Sequence, residues 1–292
     1  MTPNLAGILA MMASQLCFVV NDATMKWVSQ DLPMGQSIFL RGIVAALLIG
    51  AVISFNGDIV HVRRLASFRG GARTLLDMLG SLCYLYAVMR MPIADLVGMM
   101  QVVPLAITAG AALLLGEAVG WRRWLATIVG FIGALLIVQP SGSGTVSAGL
   151  ALALLSLLAT VGRDLLTRGL PAGIPALAIS FTAAVGVGVA GLSGLLFETW
   201  QTPPPAALGL IVFAALFLIG ANTWQIYALR TGEIAVVGPF RYSVLIWAVI
   251  AGWWLWGELP QGWSWVGMAI LAAAGIYTFL REQHLRAATA RP

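Results

Sequence analysis

The sequence predicts an all-α polytopic membrane protein with ten transmembrane helices, arranged as two inverted five-helix repeats. Its 292 residues are 60% hydrophobic and only 9% charged, and the mean hydropathy is +0.93. Soluble domains carry roughly 25% charged residues, so a soluble globule of this composition would lack the charge to solvate its surface. The apolar segments show no polar/apolar alternation, which excludes barrel strands and leaves helices.

The internal repeat is the second observation. Asp22 and Lys26 recur as Asp164 and Arg168 at a constant offset (164 − 22 = 142). Later matches, such as Gly116-Glu117 with Gly257-Glu258, are offset by 141. With an odd number of spans per half, the two halves lie upside down to each other, which is typical of secondary transporters. We expect a first five-helix repeat over residues 1–140 and a second, inverted repeat over 141–292 that ends in a short cytoplasmic tail.

Ten apolar segments account for the spans, because each approaches the ~20 residues that a membrane helix needs and turn-forming residues separate them. The first repeat gives Leu5–Val28, Gln36–Phe55, Arg73–Met89, Ile93–Leu115 and Trp121–Gln139. The second gives Val146–Leu166, Ala176–Phe197, Ala206–Leu229, Ile234–Trp256 and Trp263–Leu280.

The basic residues predict the orientation. Most of them fall on one side of the predicted topology, and the positive-inside rule makes that side cytoplasmic. Both termini are then expected in the cytoplasm. The residues on this side include Arg63, Arg64, Arg69, Arg73, Arg122, Arg123, Arg168, Arg230, Arg281, Arg286 and Arg291, against Lys26 and Arg90 on the other.

Four short motifs point to one family. They are Asn21-Asp22-Ala23-x-x-Lys26, Phe39-Leu40-Arg41-Gly42, Pro239-Phe240-Arg241-Tyr242 and Gly257-Glu258 followed by Trp263 and Gly267. With the doubled five-span unit, the chain resembles the drug/metabolite transporter superfamily, in particular its EamA-type members. Within it, the chain looks like the branch that contains a bacterial aromatic amino-acid exporter. The resemblance implies a bacterial inner-membrane location, a central cavity between the repeats and alternating access. Substrates across the superfamily include amino acids, drugs, nucleosides and other metabolites.

Charged residues inside spans are the first candidates for function, since a central charge costs about 2.5–3.5 kcal/mol on insertion scales. We hypothesise two clusters that act as gates, each closing one side of the cavity in turn. The alternative is that these residues are static pairs or snorkelling side chains. The outer cluster is Asp22, Lys26 and Arg41, and the inner cluster is Asp77, Arg163, Asp164, Arg168 and Arg241.

Polar and aromatic side chains in mid-span are candidates for the cavity lining. Some occupy equivalent repeat positions, for example Ser81 with Asn222 and Tyr84 with Gln225, and such pairs should face each other across the pseudo-twofold axis. The alternative is hydrogen bonding between helices, worth about 0.6 kcal/mol in membranes. The set is Gln15, Phe18, Ser81, Tyr84, Gln101, Asn222, Trp224, Gln225, Tyr242 and Ser243.

Pro104 and Pro239 fall inside spans four and nine, where each permits a kink; the kink either supports gating or is a static bend. Gly186, Gly188 and Gly191 fit G-x-G-x-x-G, but no strand precedes them. We interpret these glycines as close helix contacts.

The leading interpretation is a secondary carrier that exports small amphipathic metabolites, with aromatic and other neutral amino acids first. A multidrug, nucleoside or other metabolite carrier of the same fold remains an alternative, as does a facilitative, channel-like uniporter. No span carries a catalytic constellation, so we expect no enzyme activity. We also expect no metal, no cofactor and no nucleic-acid partner, and a monomer is plausible because one chain supplies both halves of the cavity.

Overall fold

A computed structural model describes residues 2–56, 59–62, 65, 67–115, 120–138, 147–168, 174–232 and 234–289. All regular structure in these residues is helical. The α-helices are α1 (Pro3–Val28), α2 (Met34–Phe55), α3 (Ile59–Val62), α4 (Phe68–Val88), α5 (Ile93–Met100), α6 (Val103–Leu115), α7 (Trp121–Val138), α8 (Ala148–Arg168), α9 (Ala176–Gly191), α10 (Pro205–Thr231), α11 (Ile234–Val237), α12 (Val244–Trp256) and α13 (Ser264–Thr289). Two 3₁₀ segments, Leu192–Leu196 and Gly238–Ser243, complete the set.

Local sequence accounts for several helix ends. Pro33, Pro92 and Pro175 each stand at the N-cap of a helix, where the missing proline N–H removes no helical hydrogen bond. Ser67 caps α4 by accepting a hydrogen bond from the backbone N–H of Gly70 at 3.2 Å. Gly257 ends α12 in the left-handed region with φ 67°, which glycine adopts without steric cost.

The ten predicted spans correspond to helical segments, and the fold class is confirmed. By length and composition, seven of the described helical segments can cross a membrane, and Trp124–Ile137 is a shorter apolar helix. Three predicted spans are not continuous α-helices. Span seven passes from α9 into the 3₁₀ segment Leu192–Leu196. Span four divides into α5 and α6, and span nine comprises α11, the 3₁₀ segment Gly238–Ser243 and α12. Span three begins at Phe68 rather than Arg73 because of the Ser67 cap, and the last helix extends to Thr289.

The chain folds into two compact units, and each takes segments from both sequence halves. The first unit consists of residues Met1–Val19, Met91–Ser147 and Gly220–Pro292. The second unit consists of Val20–Arg90 and Ala148–Ile219. Helices α1 and α10 are each divided between the units, with one end in the first unit and the other end in the second.

Small residues bring the helices of the second unit close together. A Cβ added at Gly42 of α2 would meet the backbone of Gly188 in α9, and one at Gly191 would meet the backbone of Phe39. One at Gly186 would meet Thr74 and Met78 of α4. The prediction that these glycines permit close helix contact is therefore confirmed.

The first unit packs α13 against α7 in the same way. A Cβ added at Gly133 would lie 2.9 Å from the carbonyl oxygen of Gly267. Ser264 donates a buried hydrogen bond from Oγ to the carbonyl oxygen of Ile137 at 3.2 Å. Elsewhere in the unit, Met11 of α1 packs with Ala228 and Val237 in a fully buried apolar cluster.

Candidate functional site

Three buried polar side chains and one half-buried tyrosine of the second unit form a continuous hydrogen-bonded group. We call it the Asn21 cluster: Asn21, Asp22, Arg41 and Tyr84. Tyr84 donates from its hydroxyl to Asp22 Oδ2 at 2.5 Å. Asn21 donates from Nδ2 to Asp22 Oδ1 at 2.9 Å. Arg41 donates from Nη1 to Asn21 Oδ1 at 3.2 Å. The amide of Asn21 therefore stands between the guanidinium and the carboxylate.

Three helices position this cluster. Asn21 and Asp22 lie near the end of α1, Arg41 lies two turns into α2, and Tyr84 lies near the end of α4. An apolar core formed by the same helices packs around fully buried side chains, among them Met25, Met34, Ile38 and Leu85. The exposed fraction is 9% for Asp22 and 7% for Arg41. Charges withdrawn from water to this extent require hydrogen-bond partners, and the cluster supplies them.

A second charged group of the same unit joins α4 to α8, and we call it the Asp77 cluster: Arg73, Asp77, Arg163, Asp164 and Thr167. Arg163 contacts both carboxylates, from Nη1 to Asp77 Oδ1 at 2.8 Å and from Nε to Asp164 Oδ1 at 2.8 Å. Arg73 Nη1 lies 3.7 Å from Asp77 Oδ2, and Arg73 Nε donates to Thr167 Oγ1 at 3.0 Å. Two arginines and two aspartates thus compensate one another's charge.

A third polar junction of the second unit joins the start of α2 to the segment after α9. Glu198 accepts hydrogen bonds from the Tyr86 hydroxyl at 2.7 Å and from the backbone N–H of Gly35 at 2.9 Å. Gln36 donates from Nε2 to the carbonyl oxygen of Gln201 at 2.6 Å. These bonds fix the end of α2 from which Arg41 projects.

The structure brings several predicted gate residues of the second unit together. Asp22 and Arg41 share the Asn21 cluster, and Asp77, Arg163 and Asp164 share the Asp77 cluster. Lys26 is buried on α1 and is engaged in a contact of its own. Arg241 belongs to the first unit, where its side chain is exposed; its place in the inner cluster stays a prediction. The side chain of Arg168 lies outside the described residues.

Sequence reasoning missed several partners. The sequence indicates Arg73 only as a basic residue at the cytoplasmic end of a span, yet it is 7% exposed and lies 3.7 Å from Asp77. The spacing Arg73-x-x-x-Asp77 repeats the i, i+4 spacing of Asp22 and Lys26, so this signal was present in the sequence. Asn21, Thr167 and Glu198 are also absent from the predicted set. Of these, only Asn21 lay within a motif that was recognised.

The predicted cavity residues divide between the two units. In the second unit, Ser81 and Tyr84 are half-buried on α4. The other members belong to the first unit: Gln15, Phe18, Gln101, Asn222, Trp224, Gln225, Tyr242 and Ser243. A shared lining stays a prediction.

Several first-unit members of the set have described surroundings. Gln15 donates to Met11 Sδ at 3.6 Å, and Trp224 stacks edge-on with Tyr227 at 5.9 Å between ring centroids. Ser243 Oγ is buried with no hydrogen-bond partner among the described atoms. This hydroxyl therefore has capacity for one further hydrogen bond.

The two predicted kink prolines lie at interruptions of helical spans. Pro104 is in the first turn of α6, directly after the turn at Gln101 and Val102 that ends α5. Pro239 lies in the 3₁₀ segment Gly238–Ser243. Neither proline supplies a backbone donor, so the i→i−4 ladder is incomplete at both places. Within the described residues, no group of three or more His, Cys, Asp or Glu side chains comes together.

Comparison with known proteins identifies the family. The profile of the EamA-like transporter family matches the chain twice, over residues 5–139 and 147–281. The chain belongs to this family. It is accordingly a multi-pass membrane protein of a bacterial transporter family within the drug/metabolite transporter superfamily, as the motifs indicated.

Relatives along the whole chain are named as transporters of different solutes. A riboflavin transporter of Rhizobium johnstonii is 28% identical, over 94% of this chain and 91% of the relative. A pseudopaline exporter of Pseudomonas aeruginosa is 26% identical, over 93% and 95%. An S-adenosylmethionine uptake transporter of Rickettsia prowazekii is 22% identical, over 96% and 94%. The narrower likeness to aromatic amino-acid exporters stays a prediction.

One solved structure supports the fold alone. A chain of known crystal structure aligns with a TM-score of 0.62 at 16% identity, covering 96% of this chain and 98% of that chain.

Proposed function

We propose that the protein is a secondary carrier of the bacterial inner membrane that moves small amphipathic metabolites out of the cell. Aromatic and other neutral amino acids are the substrates we place first. Transport proceeds by alternating access through a central cavity formed by the repeats 1–140 and 141–292, with both termini in the cytoplasm.

The observation that carries the amino-acid proposal is the Asn21 cluster. It holds a buried guanidinium and a buried carboxylate on neighbouring helices, linked through a neutral amide. An amino acid offers the complementary pair, a carboxylate and an ammonium. The predicted lining, which includes Phe18, Trp224 and Tyr242, suits a flat or apolar side chain.

The two charged clusters supply the proposed gates. Each joins different helices of the second unit through side chains alone, so each can open without unwinding a helix. The Asn21 cluster joins α1, α2 and α4, whereas the Asp77 cluster joins α4 and α8. Under the proposed topology they lie toward opposite membrane faces.

A second candidate is a larger ring-bearing metabolite such as riboflavin. Its support is the name of the 28% identical relative, and two further riboflavin transporters match at 26% and 28% identity. The relatives include both exporters and uptake transporters, so their names leave the direction open. Facilitated diffusion is tested by the same experiment, and multidrug or nucleoside transport by adding a labelled drug and a labelled nucleoside to it.

The test is counterflow in proteoliposomes. Vesicles are loaded with unlabelled amino acid, and labelled tryptophan, phenylalanine or threonine is added outside; a parallel set uses riboflavin. We expect saturable accumulation of the aromatic amino acids, competed by one another and lost in Arg41→Gln and Arg241→Gln. No accumulation of any amino acid by folded protein would overturn the amino-acid proposal, and riboflavin accumulation would then favour the second candidate. Transport without counterflow would indicate a channel.

A further inference from the structure

Arg41 has unused hydrogen-bonding capacity. A guanidinium carries five N–H donors, and Arg41 makes one hydrogen bond to a described residue, from Nη1 to the neutral amide of Asn21. Among the described residues, some side-chain nitrogens are fully buried without a hydrogen-bond partner, for example Arg73 Nη1. The nitrogens of Arg41 are not among them. The residue as a whole is 7% exposed.

Asp22 does not use this capacity. Asn21 Nδ2 and the Tyr84 hydroxyl occupy one oxygen each of the carboxylate. Asn21 also fixes its own amide orientation, since turning it over would place its NH₂ against the guanidinium donors and its oxygen against the carboxylate. The amide thus donates a hydrogen bond to the carboxylate and stands between it and the guanidinium.

We propose that Arg41 is the subsite for a carboxylate of the transported solute, and that Asn21 is the positioning residue that keeps this guanidinium out of a direct ion pair with Asp22. The inference rests on the proposed function, because it concerns how that solute is recognised. A planar guanidinium matches a carboxylate with two parallel hydrogen bonds. In a buried setting these bonds are stronger than in water.

The repeat provides an internal comparison for the proposal. The position equivalent to Asn21 is Arg163 (163 − 21 = 142). Arg163 contacts two carboxylates of the protein at 2.8 Å each. Its hydrogen bonds are committed to protein groups, whereas those of Arg41 are left for a ligand.

The experiment compares matched indole ligands in counterflow competition and in thermal-shift binding to purified protein. Tryptophan and indole-3-propionate carry a carboxylate, whereas tryptamine and tryptophanol do not. We expect the two carboxylates to bind about 10- to 100-fold more tightly than the other two, a difference typical of a charge-assisted pair. Equal binding of tryptophan and tryptamine, with tryptophan counterflow intact, would overturn this inference alone. No binding by any of the four ligands would overturn the inference and the amino-acid proposal together.

Variants then assign the preference to its residues. Arg41→Gln should remove the preference for carboxylates. Asn21→Asp, which is close to isosteric, should also remove it because the new carboxylate pairs with Arg41. Asn21→Gln retains the neutral amide and should keep part of the preference. Arg122→Gln is the matched control, because Arg122 is exposed and stacks over Trp121 at 5.3 Å. Retention of the full preference in Arg41→Gln would contradict the proposal.

Discussion

The Asn21 cluster and the Asp77 cluster contain the same charged residue types but differ in how arginine is paired with aspartate. Both lie in the second unit, both use α4, and both combine arginine with aspartate. In the Asp77 cluster, Arg163 contacts two carboxylates directly. In the Asn21 cluster, an amide separates Arg41 from Asp22. The equivalent repeat positions hold Asn21 in one cluster and Arg163 in the other. Arg163 pairs directly with carboxylates of the protein, whereas Asn21 stands between an arginine and a carboxylate.

Helix α4 links the two clusters. Asp77 and Tyr84 are seven residues apart, or two helical turns, so they project from one face about 10 Å apart along the axis. A movement of α4 would therefore displace residues of both clusters. The comparison predicts, besides the proposed role of both clusters as gates, that breaking the Asp77 cluster lowers stability most, whereas breaking the Asn21 cluster lowers solute recognition most.

The largest expected effect on stability is in the Asp77 cluster. Arg163→Gln leaves Asp77 and Asp164 without their short ion pairs, and breaking a buried pair in this way costs about 3–5 kcal/mol. The upper end is not expected, since the exposed fractions of the Arg163 and Asp164 side chains are 28% and 35%. Thermal unfolding in detergent checks this, with Arg122→Gln as the control. An unchanged Tm would show that the ion pairs do not hold α4 to α8.

A smaller loss of stability is expected when the Asn21 cluster is broken. Tyr84→Phe removes the donor to Asp22 Oδ2, and a hydrogen bond to a charged group contributes about 1.5–3 kcal/mol. The Tm of Tyr84→Phe should fall by less than that of Arg163→Gln, and tryptophan counterflow should weaken. Tyr277→Phe, on an exposed tyrosine of α13, is the control. A fall in Tm larger than that of Arg163→Gln would reverse the ranking of the clusters.

A substitution at a helix contact tests the comparison further, because it should displace the Asn21 cluster and leave the Asp77 cluster in place. Gly42→Val should push α2 away from Gly188 of α9, at about 1–3 kcal/mol for overpacking, and move Arg41. Tryptophan affinity should fall while the α4–α8 ion pairs persist. Gly71→Ala is the matched control, since a Cβ there meets nothing within 4 Å. Unaltered tryptophan affinity in Gly42→Val would contradict a role for the position of Arg41 in solute recognition.

The smallest effect is expected at Thr167. Thr167→Val removes the acceptor for Arg73 Nε, but Arg73 keeps its approach to Asp77 Oδ2. We expect about 1 kcal/mol of destabilisation and no change in ligand preference. Thr167→Ser retains the hydroxyl and should restore the Tm; failure of serine to do so would show that the methyl group, not the hydrogen bond, matters.

Much of the fold could be predicted because its signals are strong. Charges such as Asp22 and Arg41 are conspicuous in apolar spans, and the repeat offset follows from the sequence directly. The partners of these charges could not be derived in the same way. Whether Asn21 and Tyr84 face Asp22 depends on how α1 and α4 are rotated, which packing sets.

Boundaries explain the remaining differences. The apolar pattern puts Arg73 at the start of its span, but the Ser67 cap starts α4 five residues earlier and places Arg73 inside the helix. Glu198 follows a 3₁₀ segment at the end of a span, where periodicity gives no prediction of direction. The prolines signalled interruptions in spans four and nine, but the position of each break depends on the local backbone bonds.

The most direct measurement is tryptophan counterflow and Tm for Arg41→Gln and Arg163→Gln side by side in the same membranes. The account predicts that Arg41→Gln loses tryptophan accumulation with a smaller fall in Tm than Arg163→Gln shows. Arg163→Gln should lose stability first, and any fraction that stays folded should still prefer carboxylate ligands. Full accumulation by Arg41→Gln, or loss of the carboxylate preference by folded Arg163→Gln alone, would contradict it.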